Sequence, residues 1–176
     1  MTGASIGIKL HDEGFTAGLH RLAAMGHNTA GLMRAIGVGL VETTQHRFET
    51  ATDPAGHPWA PLLPAYAAIK RGAGILRGAA MQGGLMGSVS FAPDSRSVRV
   101  GSSKIYSAIH QFGGKIVPVR ASALFFPLMG GKGVVYAHHV KSVTIPARPY
   151  LGFGAAERLV VAEALAEEVR FALAGR

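Results

Sequence analysis

Eight histidines and no cysteine frame the chemistry this sequence could carry. Without thiols there can be no disulfide, thiolate zinc site or cysteine nucleophile. Histidine ligation fails on spacing. His138 and His139 are adjacent, so in a strand they point to opposite faces and cannot both hold one ion. His46 sits one helical turn after Glu42, yet no HExxH pattern occurs. A serine nucleophile on a strand-to-helix elbow needs GxSxG. Gly87-Ser88 and Gly101-Ser102-Ser103 both lack the second glycine. A phosphate loop around Gly130–Gly133 would need a glycine six residues before its lysine and a hydroxyl residue after it. Those places hold Phe126 and Gly133. Paired-carboxylate catalysis is poorly supplied, because between positions 54 and 156 the only acid is Asp94. The expectation is a chain without catalytic, cofactor or metal residues, in which side chains recognise rather than react.

The charge pattern points the same way. Residues 54–156 carry eleven Lys/Arg against one acid, whereas the two ends are each slightly acidic. A basic middle implies an acidic partner, a protein surface or nucleic acid. Lys70, Arg71, Arg77, Lys104, Lys115, Arg120 and Lys132 are the candidate contacts. No aromatic RNA-binding signature, zinc finger or basic heptad helix accompanies them. His110 and Gln111, bracketed by Tyr106 and Phe112, read either as an interface pair or as helix-end packing. Trp59 reads as a core plug or as a binding platform.

The elements that must position these residues follow from periodicity. The 176 residues amount to one domain. Its N-terminus lacks the cationic start and apolar run of a secretory signal, and no apolar run is long enough to span a membrane. Ser5–Leu10 alternates as a short strand, and a first helix is expected over Thr16–Met25 with Leu19, Leu22 and Ala23 on its face. A longer helix, capped by Asn28 or Thr29, runs to about Thr50 with Leu32, Ile36, Leu40, Thr44 and Phe48 on one stripe. Gly37 and Gly39 weaken that helix or admit a close neighbour. The proline-rich Thr52–Pro64 should fold Trp59 and Leu62–Leu63 back over its end. A helical turn at Ala65–Arg71 leads into a glycine-rich mobile loop at about 72–84.

Leu85–Phe91 and Ser97–Gly101 form one hairpin about a Pro93-Asp94 turn. Ile105, Tyr106, Ala108 and Ile109 give the apolar face of a short helix, which the glycines at 113 and 114 stop. Ala123–Phe126 and Val134–Ala137 form a second hairpin, within an extension at about 115–142. Val140–Ile145 is one more strand. Pro146 and Pro149 then force Ile145 and Arg148 into extended geometry. A last helix over 155–173 turns Leu159, Ala162, Ala166, Val169 and Leu173 inward, and Glu163, Glu167 and Arg170 outward. The fold class is α+β: an antiparallel sheet built from hairpins, packed by a long N-terminal and a C-terminal helix.

Taken in order, the stretches RFET (47–50), DPAGHPWAPL (53–62), ILRGAAM with GLMGSV (75–81, 84–89), RVGS (99–102), YSAIHQFGG (106–114) and IPARPYLGF (145–153) resemble the virion morphogenesis family of Mu-like phages, the tail-completion group. Where that family usually reads close to DTGRL, this chain has Gly78-Ala79-Ala80-Met81 and a spaced Gly84-Leu85. The resemblance implies a structural protein of a virion tail or neck, made in the host cytoplasm and free of catalysis. It would complete or terminate the tail and join it to the head as a homo-oligomeric ring, a hexamer being one such ring. Its partners would be the tail tube and head connector, with non-specific contact to passing DNA and none with a membrane. On this reading His110, Gln111, Phe112, Phe125, Phe126, Val134, Tyr136, Arg148 and Tyr150 are the subunit or partner interface. The alternative is that the same residues fill one protomer's core. A basic nucleic-acid-binding accessory protein is the competing function.

Overall fold

A computed structural model describes residues 20, 24, 29–70, 72–78, 84–129 and 135–174. The expected strand at Ser5–Leu10, nearly all of the first helix, positions 79–83 and the hairpin tip at 130–134 lie outside the described residues. The described chain is α+β, as the hydrophobic periods indicate.

Helix α1 spans Ala30–Thr50, about 30 Å at the rise of an α-helix. Leu32, Ile36, Thr44 and Phe48 of the expected stripe are buried, and Leu40 is half-buried. Thr29 stands at the N-cap without capping through its side chain; its hydroxyl bonds instead to the Ser95 carbonyl. Gly37 lies against the Phe91 ring, and Gly39 against Val160. The close neighbours are therefore side chains, not backbone. Any Cβ at either glycine would have to displace one.

Ala51 takes left-handed geometry and turns the chain back. Asp53 then nucleates the next loop by accepting the Ala55 and His57 N–H groups at 2.8 and 2.9 Å. The reversal lays Trp59 on Phe48, edge to face with centroids 5.5 Å apart, and Phe48 meets Tyr150 at 5.2 Å. Leu85 and Val89 complete this core. Leu62 is half-buried but Leu63 is exposed, so only part of the expected fold-back occurs. Helix α2 is short, Pro64–Ile69. Within the glycine-rich loop, Ile75 and Leu76 pack against the core.

A 3₁₀ turn at Met86–Ser88 takes the start of the expected first strand. Strands β1 (Val89–Pro93) and β2 (Val98–Ser102) then pair antiparallel. The Asp94 carboxylate accepts the Arg96 and Ser97 N–H groups at 2.8 Å and the Ser97 hydroxyl at 2.5 Å, which fixes the turn. Helix α3 is Ser107–Phe112. Its expected apolar face is not a buried face: Ile105 precedes the helix and is fully open, and Tyr106 and Ala108 are exposed.

Strands β3 (Gly114–Ile116), β4 (Leu124–Met129), β5 (Val135–Val140) and β6 (Val143–Ile145) form a nested arm. β3 pairs with β6 and β4 with β5, both antiparallel. The expected single strand Val140–Ile145 is split by Lys141 and Ser142. Seven residues, 117–123, separate β3 from β4 on the outgoing side, against two on the return. The described strands thus make three two-stranded ladders instead of one continuous sheet.

Helix α4, Ala155–Ala174, packs along α1. Its rotation differs from the expected one. Glu157 and Ala172 are buried and Val160, Val161, Ala164 and Glu168 half-buried, whereas Leu159, Ala162, Ala166 and Val169 face out. The cause is polar. Glu157 is tied to Arg47 of α1, which fixes the helix about its axis and leaves the more apolar stripe outside.

Candidate functional site

The segment after β6, residues 146–154, is held from four sides. Its two prolines give it extended backbone, so its N–H and C=O groups need partners outside regular structure. From α3, the Gln111 amide supplies them. Its Oε1 accepts the Tyr150 and Leu151 N–H groups at 3.0 Å each, and its Nε2 donates to the Leu151 carbonyl at 2.8 Å. The His110 carbonyl accepts the Arg148 N–H at 2.7 Å. Gly113 makes this approach feasible: it has φ of 70°, and a Cβ there would fall 2.6 Å from the Ala147 nitrogen.

Arg148 points away from α3, into the proline-rich loop. Its Nε donates to the Ala60 carbonyl at 2.8 Å and its Nη2 to that of Pro61 at 2.9 Å. In return the Trp59 indole donates to the Pro149 carbonyl at 2.8 Å. Arg47 closes the clamp. Nη1 donates to the Tyr150 carbonyl at 3.0 Å, and Nη2 pairs with Glu157. The other Glu157 oxygen accepts the Gly154 N–H at 2.8 Å, so one carboxylate caps α4 and neutralises a buried guanidinium. Burial by itself would raise the Glu157 carboxyl. The Gly154 hydrogen bond and the Arg47 charge outweigh it and hold the group below its ordinary value of 4.5.

His110 is the exception within this satisfied network. Its Nδ1 is buried with no hydrogen-bond partner among the described residues, and its ring stands edge-on to Tyr106 at 6.0 Å. Burial, and then the nearby Arg148 charge, hold the imidazole below 6.5.

The nine residues singled out from sequence therefore separate. Gln111, Arg148 and Tyr150 are spent inside the protomer, Tyr150 with only 1% of its surface exposed. His110 is half-buried beside them. Phe112 and Phe125 face outward, at 78% and 55% exposure, and Phe125 stacks on His139 at 5.4 Å. Phe126, Val134 and Tyr136 lie where side chains are not described. Of the candidate basic residues, Lys104, Lys115 and Arg120 are exposed, while Lys70 donates to the Gly72 and Arg77 carbonyls at 3.0 and 2.6 Å. Arg71 and Lys132 are outside the described residues. His46 pairs with Glu49 at 3.2 Å, not with Glu42.

Sequence reasoning missed Arg47 and Glu157 as a pair. The available signal was a cation lying beside Thr44 and Phe48 on an otherwise apolar stripe, which in a buried position demands an acid.

Open aromatics and cations thus flank a clamp that shapes a proline-rich segment. The chain belongs to the phage virion morphogenesis family, whose model matches residues 10–170. Over 136 residues it is 30% identical to the Mu-like prophage FluMu G protein 2 of Haemophilus influenzae, covering 77% of this chain and 75% of that one. No solved structure matches it. Among the described residues, no helix is long and apolar enough to cross a membrane.

Proposed function

We propose that this protein acts in virion assembly as a non-enzymatic tail-completion subunit that forms a ring, ends the tail tube and presents a surface to the head. Membership of the morphogenesis family over residues 10–170 is the observation that carries this reading. The surface supports it. Phe112, Val119, Phe125 and Phe153 are exposed on a chain whose clamp is internally satisfied, and open aromatics beside cations suit protein contacts. Subunits related by rotation join through two different patches, and such contacts close into rings. The excess charge in the middle of the chain then faces acidic neighbours in the particle.

Light scattering behind a sizing column, on nucleic-acid-free protein at low and high salt, tests the ring. The expected result is a discrete multiple of the 18.3 kDa chain in both conditions. A monomer in both would count against a self-closing ring. The same basic middle favours a second reading, an accessory protein that binds nucleic acid through its backbone. Retention on DNA by the monomer, falling steeply with salt, would support it.

A further inference from the structure

Among the described residues, Nδ1 of His110 is the single buried side-chain nitrogen or oxygen without a hydrogen-bond partner. The ring meets Tyr106 edge-on. An imidazolium carries a proton on both nitrogens, so charging this ring would place an N–H on Nδ1, where no acceptor stands. The groups around it do not relieve that cost. Arg148, of the 146–154 segment, adds a second positive charge. Tyr106 ahead of α3 and Tyr150, whose hydroxyl donates to the Ser107 carbonyl at 3.4 Å, offer phenols and not carboxylates. Tyr66 of α2, which interacts with Arg148, is a third phenol. Between positions 54 and 156 the only acid is Asp94, and the β1–β2 turn uses its carboxylate. Glu157 is taken by Arg47 and the Gly154 N–H.

The helix that carries this ring is held lightly. α3 has six residues, too few to persist alone, lacks a side-chain cap and buries none of its residues fully. Hydrogen bonds from its last turn dock it: the His110 carbonyl accepts the Arg148 N–H, and the Gln111 amide serves Tyr150 and Leu151. We infer that His110 makes α3 an acid-released latch: the charged imidazole undocks α3 from residues 146–151 while the aromatic core stays folded. The segment itself stays in place, because Arg47, Trp59 and the Arg148 side chain tie it to the other side without α3. Gly113 and Gly114 lead from α3 straight into β3, so this docking also sets where the arm begins. The latch works within one protomer and does not depend on ring formation. Burial, and then Arg148, hold the docked imidazole below 6.5, so the undocked state binds the extra proton. Docking is at full strength above 6.5 and weakens as pH falls below it, until the docked ring itself charges.

Hydrogen exchange followed by NMR from about pH 7.5 to about pH 5, the range in which histidine titrates, reads the latch. The Arg148, Tyr150 and Leu151 amides lose their acceptors when α3 leaves. Their protection factors, corrected for the intrinsic pH dependence of exchange, should fall by up to about tenfold per pH unit below 6.5. The Phe48 and Trp59 amides should stay protected over the same range. In His110→Asn the three factors should no longer change with pH. Constant protection at the three amides of the unaltered protein overturns the latch. So does an undiminished fall in His110→Asn, which would assign the opening to another group. A parallel fall at Phe48 would mean global unfolding and overturns it as well. Where the variant does not fold, the His110 ring resonance of the unaltered protein decides. Titration below 6.5 is expected; titration at or above 6.5 would mean that the docked helix accepts the charge, which overturns the latch.

Discussion

The clamp around residues 146–154 and the arm between positions 114 and 145 share a boundary at β3 and β6, yet they are built on opposite terms. In the clamp, three side chains from three separate stretches, Arg47, Trp59 and Gln111, satisfy one proline-stiffened segment, and an aromatic trio packs beneath it. In the arm, two ladders pair with themselves and carry open valines, a phenylalanine and cations that form no ion pair among the described residues. The first spends its polar groups on its own fold. The second leaves its cations open among the described residues. Internal bonding and exposed surface are thus divided between neighbouring segments, and changes in each should have opposite signatures.

The largest effect is expected at Arg47 and Glu157. Glu157→Gln or Arg47→Met leaves a buried charge without its counter-ion, and the loss should be about 3–5 kcal/mol in urea unfolding. Replacing both by apolar residues should cost clearly less than either single change. If the two single variants and the double variant were equally stable, the clamp would not be held by this pair.

Acid sharpens the same point. Glu157 titrates lower in the folded chain than in the unfolded one, so the folded state binds fewer protons. The stability it contributes is full above 4.5 and is lost as pH falls below that value. His110, also depressed, should add an earlier decline as pH falls below 6.5. Melting temperature against pH should therefore drop in two stages. Glu157→Gln should flatten the lower one and His110→Asn the upper.

How far the sequence reveals this division depends on range. Trp59, the stop at Gly113 and the extended 146–150 segment were legible because prolines and glycines dictate backbone locally. The long helix was legible from its four-residue period. The rotation of α4 was not, because Leu159, Ala162, Ala166 and Val169 make as good an inward stripe as the one used. The choice is made by Arg47, 110 residues upstream. For the same reason Gln111, Arg148 and Tyr150 looked like interface residues. Their types suit recognition, and only the folded chain shows that they recognise their own backbone.

Gln111 gives the next effect in size. Gln111→Met keeps the volume but strips the Tyr150 and Leu151 N–H groups of their acceptor, which should cost about 2–3 kcal/mol. Hydrogen exchange at those two amides should rise ahead of global unfolding. If they stayed protected, the segment would be held by its prolines and the aromatic packing instead.

The arm should show the smallest effect on stability and the most complete one on assembly. Removing residues 123–137 and closing the gap with Asn-Gly takes away β4 and the first half of β5 but leaves β3 and β6 to pair. None of the five core residues lies in that stretch, so the unfolding free energy should stay within about 0.5 kcal/mol. Light scattering on the same sample should give a monomer. An unfolded product would mean that the arm belongs to the core after all, and the contrast with the clamp would collapse. A folded protein that still assembled would keep the contrast but move the contact to Phe112 or Phe153, the exposed aromatics at the surface of the clamp.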